Sequence, residues 1–545
     1  PEMVFLPEFA TTLPSSNFKF AKERIADWGR NDPRGGGMEE IDVEMNVIRD
    51  FARRVLLSEE TFQEDGNTFV NMFSGEWSGT SKLNKYDLSS MYFNYAGSIY
   101  SQNFPIIDIV MNTMLKQEES TQGRHFFRMF NGMGDDQRAA AYLNGKSFEQ
   151  AVLDNTLSTE VFYEMMKLKG VYLRNYINSR LSSNEFKEFM AEFMKKYQFQ
   201  EVNFTRLNSE FIRKFHFNLM DFIPNWYTIN STPRFIVKGV DADQVEIGDY
   251  TKYIVKFQVY NPTNVEGVIS VNVEEGGGMF PGGPRGRRGR AAQMEAKPAK
   301  NYIIEPRKYK EIRILCDERP SNLTINTNIS QNLPSTIMQN FAKVTTTTTD
   351  TVTGIFDSNA ALFTFNPKEI TVDNEDPGFR IIESNQKNKL QSFFKKESED
   401  KYKNLNFWMP PSKWTATIGV NYYGDYINSA VYKKSGSGSN KTEWTTQIQI
   451  PGFYEVFVYT SELPMMGWRR RGSEEKKMQY YTVKHDDGEE EISVETGRGR
   501  QGWMTLGSFY FSAGEAKITL SDKGSESNQI IFADAVKWVY TNNNK

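Results

Sequence analysis

At 545 residues the chain is too long for one ordinary core, and at roughly 150 residues per domain it should hold three to four. Its 65 Lys and Arg against 69 Asp and Glu leave a net charge of −4, which excludes an evenly basic surface for nucleic acid. With 39% hydrophobic and 14% aromatic residues it is not a disordered chain. No apolar run approaches the roughly 20 residues of a membrane helix, and the start at Pro1 carries no secretory signal pattern, so the sequence reads as a soluble chain or the soluble part of something longer.

In chain order, the stretch MEEIDVEMNVIRDFARRVLL from Met38 spaces Ile41, Met45, Ile48, Phe51 and Val55 as an amphipathic helix. Ser182 with Glu185 forms a capping box, and Phe186, Phe189, Met190, Phe193, Met194 and Tyr197 continue it as a second helix. Another is expected over Thr205 to Lys214, before a turn at Pro224. After Pro233 the period changes to alternation. FIVKGV, YIVKFQVYN, GVISVNVEE, YIIEP and KEIRILC read as strands of an immunoglobulin-type antiparallel sandwich. The Gly, Pro and Arg loop 276–300 interrupts it. VTTTTTDTVT, 344–353, reads as an extended connector or an edge strand. A lysine-rich stretch, 386–406, precedes a block of strand patterns from Phe407 to Tyr540, expected to fold autonomously.

Little of the chemistry-bearing vocabulary assembles. Gly497, Gly499 and Gly502 satisfy G-x-G-x-x-G, but the strand-like WMTLGSFYF follows where a helix must open, so they read as turn glycines. SGSGSNKT, 435–442, resembles a phosphate loop only in composition. The single cysteine, Cys316, ends an apolar strand pattern and reads as buried and structural. His125, His216 and His485 are scattered, with no H-E-x-x-H. Neither Glu39 and Glu40 nor Asp135 and Asp136 read as an acid/base pair, because neighbours on a helix diverge. No catalytic residue, metal ligand or cofactor is assigned. Two basic stretches are candidate partner surfaces: Arg285, Arg287, Arg288 and Arg290 in the mobile loop, and the hairpin tip with Met465, Met466 and Trp468 beside Arg469, Arg470 and Arg471. The tip has the aromatic-plus-arginine composition of an interface anchor.

The last block resembles the golvesin or xanthan lyase C-terminal-like domain. The resemblance rests on Pro451-Gly452 with Tyr454 and Val456, Tyr481 and Val483 with Gly488, Trp503 with Leu506-Gly507, Phe509 and Gly514, Leu520 to Asp522, and Ala533 to Val536. It implies a jelly-roll-like accessory module of exported bacterial proteins. Without any family, Tyr454, Val456 and Val458 alternate on one strand and Phe509 with Phe511 on another, so their inner faces can meet. Asp534 should tie a turn, and Trp503, one of the candidate sugar contacts, aligns with a core position, as Trp414 can. Residues 160–235 are similar to the helical tail of the membrane alanyl aminopeptidase family, on Lys169-Gly170, Phe186, Asp221 and Trp226, and Gly35 to Glu39 resembles its G-x-M-E-N. The zinc motif of that family is absent. Such peptidase-like regions in Bacteroidota often sit on the outer side of membrane proteins, and Asp350-Thr351-Val352 fits that phylum's O-glycosylation pattern, with Thr351 as acceptor.

The expectation is therefore an α+β multidomain chain: 1–230 mainly helical and peptidase-like, 231–343 an immunoglobulin-like β-sandwich, 344–406 connector and short elements, and 407–545 a jelly-roll-like β-sandwich. Since no catalytic constellation assembles, it reads as a non-catalytic scaffold or subunit of a periplasmic or cell-surface complex. Its partner would be a protein, and it would meet a membrane only through that partner or an upstream segment. A carbohydrate-binding protein and a hydrolase with an unrecognised site are the alternatives, with Trp408, Trp414, Trp468 and Trp503 as candidate sugar contacts.

Overall fold

The computed structural model describes residues 99–110 in part, 135–197, 202–276, 299–383 and 401–541, apart from 155, 342–343, 345, 404, 407–408, 462–476, 498–499 and 527. The expected helix from Met38 lies outside the described residues. The chain divides into two compact units, one of residues 1–123 and 142–231 and one of 124–141 and 232–545. Among the described residues no helix is long and apolar enough to cross a membrane.

The described helices are α1 (Asp135–Leu143), α2 (Phe148–Leu153), α3 (Thr159–Asn178), α4 (Ser183–Lys196), α5 (Phe204–Phe215) and α6 (Ile223–Thr228). The Ser182 hydroxyl accepts from Glu185 N–H, and the Glu185 carboxylate accepts from Ser182 N–H at 3.0 Å, so α4 starts where the sequence signals it. Its Phe189 packs edge-on against Phe211 and Phe215 of α5, with ring centres 5.2 and 5.4 Å apart. Pro224 does not end helical structure. It sits in the first turn of α6, where a missing N–H costs no bond. Lys169 joins α3 to α6: its ammonium donates to Trp226 O at 2.5 Å, and Trp226 Nε1 donates to Lys169 O at 3.2 Å. A short parallel pair links β1 (Ile99–Tyr100) and β2 (Val202–Asn203).

The second unit is antiparallel β throughout its regular pairings. Strands β3 (Ile236–Ile247), β4 (Tyr250–Tyr260), β5 (Gly267–Glu275), β6 (Lys300–Ile304), β7 (Tyr309–Cys316), β8 (Pro320–Asn326), β9 (Thr336–Asn340) and β10 (Gly354–Asp357) make two sheets, ordered β10-β7-β4-β3 and β6-β5-β8-β9. Phe257, Val259, Ile269, Ile312 and Ile325 fill the space between them, with Cys316 fully buried among them. The thread from Val344 is neither a free connector nor a regular strand. Gln244 N–H donates to Thr346 O and Thr348 N–H to Gln244 O, both at 2.8 Å, so it covers the open edge of β3 with one isolated bridge.

The C-terminal sandwich is built from β11 (Glu369–Val372), β12 (Phe379–Ile382), β13 (Thr415–Ile418), β14 (Ser429–Lys434), β15 (Lys441–Ile448), β16 (Gly452–Thr460), β17 (Lys477–His485), β18 (Gly488–Thr496), β19 (Gly502–Phe511), β20 (Gly514–Gly524), β21 (Ile530–Ala533) and β22 (Val536–Thr541). A four-stranded sheet β11-β22-β16-β19 and a five-stranded sheet β12-β15-β20-β17-β18 enclose Trp444, Tyr454, Val456, Tyr481, Ile518 and Trp538; β13-β14-β21 form a third sheet. Tyr454, Val456, Val458, Phe509 and Phe511 all turn inward as their alternation predicts, and Trp414 is in the core. Two of these strands, β11 and β12, come from the stretch whose sequence reads as connector and short elements.

Candidate functional site

The inward set on β16 leaves Phe453, Glu455, Phe457 and Tyr459 on the outer face of the four-stranded sheet. Phe453 pairs with Tyr510 of β19 and Tyr459 with Trp503. Between them a β-bulge at Val456/Phe457 gives β19 one extra residue. Because strand side chains alternate with period two, the extra residue reverses the facing of everything before it. Met504 rather than Trp503 then continues the inner set. Trp503 is therefore half-exposed on the outer face, not in the core where its alignment points.

The result is an aromatic strip. Phe453 and Tyr510, each 37% exposed, meet edge-on with ring centres 5.4 Å apart. Trp503 meets Tyr459 at 5.2 Å and Tyr423 at 5.1 Å. Between the two groups lies Phe457, with the Lys537 ammonium 5.6 Å from its ring and 4.6 Å from that of Trp503. Lys537 also pairs with Glu369 at 3.5 Å. The six residue steps from Phe453 to Tyr459 span about 20 Å.

The outer face of the five-stranded sheet is mainly charged and polar, with Ile382 and a single tyrosine, Tyr480 under the Lys523 ammonium, as its larger apolar members among the described residues. Arg380 pairs with Glu443, Lys517 approaches Glu443 at 3.3 Å, and the same ladder runs on through Thr519, Thr482 and Glu491. The contrast between the two faces is one of residue type, since both belong to the same sandwich.

At the Trp503 end, three distant pieces of chain bring carboxyls together. Asp534, 2% exposed, accepts from Tyr423 N–H at 3.2 Å and from the Ser461 hydroxyl at 3.3 Å. It thus ties a loop more than a hundred residues away rather than the local turn its position suggests. Burial, then the nearby Asp373, pushes its carboxyl well above the usual range. Asp373 is itself pushed up to about 8, chiefly by burial and then, against a bond from the Asn374 N–H, by Asp376, Glu375 and Asp425. Burial raises Asp376 as well. Glu375 is held by Lys401, by the Ser429 hydroxyl at 2.7 Å and by the Tyr402 hydroxyl at 3.1 Å. Among the described residues no group of three or more His, Cys, Asp or Glu side chains is placed to hold a metal ion.

Both basic candidate surfaces, Arg285, Arg287, Arg288 and Arg290 in one loop and Met465, Met466, Trp468, Arg469, Arg470 and Arg471 in the other, lie outside the described residues, as does Trp408. Thr351 is exposed in the thread beside β3, next to Asp350, which pairs with Arg313. His216 caps α5 in a left-handed conformation and is exposed, and His485 ends β17 against the Phe509 ring, 5.0 Å away. The SGSGS loop folds around a carboxylate of its own chain. Gly438 N–H donates to Asp522 at 2.7 Å, Asn440 Nδ2 at 3.0 Å, and Lys433 completes a buried ion pair. Burial opposes the charge on Asp522, but these partners together hold its carboxyl below the usual range.

Residues 404–540 match the Golvesin C-terminal domain. No curated protein sequence matches the chain. Among solved structures, the chain is similar to a Paenibacillus xanthan lyase, at 14% identity over 57% of this chain and 26% of that one, with a TM-score of 0.23. It is also similar to the exo-β-1,3-galactanase of Phanerochaete chrysosporium, at 16% identity over 24% of this chain and 27% of that one, TM-score 0.16. A two-domain protein of Bacteroides fragilis is similar at 10% identity over 56% of this chain and 94% of that one, TM-score 0.15. The chain spans about a quarter of the length of the first two. The aminopeptidase resemblance of residues 160–235 stays a reading of the sequence.

Proposed function

We propose that the C-terminal sandwich is a carbohydrate-binding module, using the outer face of its four-stranded sheet, in a protein that works at the cell surface or outside the cell. The observation that carries the reading is the difference between the two outer faces. Phe453, Tyr510, Phe457, Tyr459 and Trp503 share the first, where a sandwich facing water alone needs none of them. A sugar ring offers an apolar C–H face that packs on an aromatic plane, while its hydroxyls take hydrogen bonds from a polar rim. Glu455, Glu369 and Lys537 supply such a rim. The golvesin match over 404–540 supports an accessory role in an exported protein.

In this reading the first sandwich is immunoglobulin-like, the C-terminal one jelly-roll-like and the helical unit peptidase-like, and none is asked to break a bond. The aromatic outer face of the four-stranded sheet supports carbohydrate as the partner, ahead of the scaffold role in an envelope complex that the sequence alone suggests. Thr351, exposed and extended, remains the acceptor proposed for O-glycosylation.

Affinity electrophoresis of the full chain in gels containing dextran, β-glucan, galactan, xylan or pectin tests the proposal. Retardation is expected in at least one gel. Trp503→Ala and Phe453→Ala should each weaken it about tenfold or more, the effect of losing an aromatic anchor worth roughly 1.4–2 kcal/mol. Migration unaffected by every polysaccharide, or retardation indifferent to both substitutions, would overturn it.

A further inference from the structure

The pairing of β11, β22, β16 and β19 sets the outer face of the four-stranded sheet in rows. At one end Thr541, Phe453 and Tyr510 stand side by side, and at the other Tyr459 stands beside Trp503. Between them lie Glu369, Val539, Glu455 and Ser508 in one row, and Thr371, Lys537, Phe457 and Thr505 in the next. Aromatic rings therefore close both ends of the strip, and most of the hydrogen-bonding groups fall in its middle.

Charge narrows what can lie across that middle. Glu455 is exposed, and among the described residues no cation pairs with its carboxylate. Lys537, the cation of these rows, already has Glu369 at 3.5 Å, and its side chain, 20% exposed, rests between the Phe457 and Trp503 rings. Lys368, just before β11, lies 5.8 Å from the ring of Tyr540, which packs against the core. The two middle rows thus carry two carboxylates against one ammonium, and Glu455 is the charge left over. An ionised carboxylate only accepts hydrogen bonds, so Glu455 suits hydroxyls that donate. It opposes any anion brought against it.

We infer that the ligand of this face is an uncharged polysaccharide, held as an extended stretch along β16 that touches both aromatic ends. The inference rests on the carbohydrate reading of the face and adds the class of glycan. A single sugar covers one end only. A chain lying along the roughly 20 Å from Phe453 to Tyr459 joins both contacts in one ligand, and the second contact then forms at high effective concentration. On the way its hydroxyls donate to Glu455 and Glu369 and accept from Lys537. A uronic acid at the centre would set its carboxylate against that of Glu455 with no proton between them.

Affinity electrophoresis of the full chain in paired gels tests the class, each pair sharing a backbone and differing in carboxylates: dextran with carboxymethyl dextran, hydroxyethyl cellulose with carboxymethyl cellulose, and methyl-esterified with de-esterified galacturonan. The neutral member of at least one pair should retard the wild type at a concentration about tenfold or more below that needed with its charged twin. Glu455→Gln, which keeps the shape and an acceptor oxygen, should narrow that gap by about threefold or more and leave retardation by the neutral member within about threefold of wild type. A soluble oligosaccharide of the retarding backbone should release the chain at about a tenth or less of the concentration its monosaccharide needs. A charged twin as effective as the neutral one, a gap unchanged in Glu455→Gln, or release by the monosaccharide as readily as by the oligosaccharide would each overturn the inference and leave carbohydrate binding by this face standing. Migration unaffected in every gel would remove the binding itself, and the inference with it.

Discussion

Trp503 shows how one inserted residue can decide the character of a surface. The bulge at Val456/Phe457 turns this side chain outward, beside Tyr459 and Tyr423, and Met504 takes the inner position. Half of this was legible in the sequence. The inner residues Tyr454, Val456 and Val458 stood out by alternation, and the intervening Phe453, Phe457 and Tyr459 carried the complementary signal, since a strand with one wet face has no need of aromatics on both. The bulge was not legible, because register is set by pairing with a strand some fifty residues away. The carboxyl cluster was hidden for the same reason: Asp373, Asp425 and Asp534 meet only through the fold. That cluster gives a signed expectation. Asp373, pushed up to about 8, binds a proton in the folded state that the unfolded chain releases near pH 4. Stability of the second unit should therefore fall as pH rises from about 4 to about 8, and Asp373→Asn should flatten that slope in thermal melts across the range. A buried base reverses the sign. Burial lowers Lys169 to about 7, so the folded helical unit releases a proton that the unfolded chain keeps until about pH 10. Its stability should rise between pH 7 and pH 10, and the rise should vanish in Lys169→Met; an unchanged slope in that variant would assign the proton elsewhere.

Among the elements, those with a local signature matched their sequence patterns most closely. The Ser182 and Glu185 capping box marks α4, and α5 runs over Phe204–Phe215 where the spacing places a helix from Thr205 to Lys214. Elements that exist only through pairing were the ones missed. β11 and β12 are four residues each, and nothing local in them outweighs the charged sequence around them. Yet β11 pairs with β22 and adds Ile370 and Val372 to the core, and β12 pairs with β15 and brings Phe379 against Trp444, ring centres 5.4 Å apart. We propose that the C-terminal module begins near residue 366 rather than at 407. A fragment 366–545 should then exceed 407–545 by about 3 kcal/mol or more in denaturant unfolding, since burying each side chain such as Ile or Val is worth roughly 1.5–3 kcal/mol. Equal stability of the two fragments would keep the boundary at 407. The turn between β11 and β12 is fixed by contact as well as by sequence. Thr445 N–H donates to Gly378 O at 2.8 Å, and a Cβ on Gly378 would lie 2.3 Å from Thr445 O. Gly378→Ala should lower the melting temperature, because backbone has to move to make room.

For the whole molecule, composition drew the right outline and could go little further. A chain with balanced charge and ample aromatic content folds into β-sandwiches and a helical unit, and the golvesin resemblance is matched by the family over 404–540. Under the proposed function, one of the two outer faces of the C-terminal sandwich binds carbohydrate and the other does not. Isothermal titration of a retained polysaccharide's oligosaccharide into the full chain tests it most directly, alongside a Phe453→Ala/Trp503→Ala variant and a Thr482→Ala/Thr519→Ala control on the opposite face. Wild-type affinity is expected in the control and a loss of a hundredfold or more in the aromatic variant, with both melting within a few degrees of wild type. Equal affinity in all three proteins, or a loss confined to the control, would contradict it.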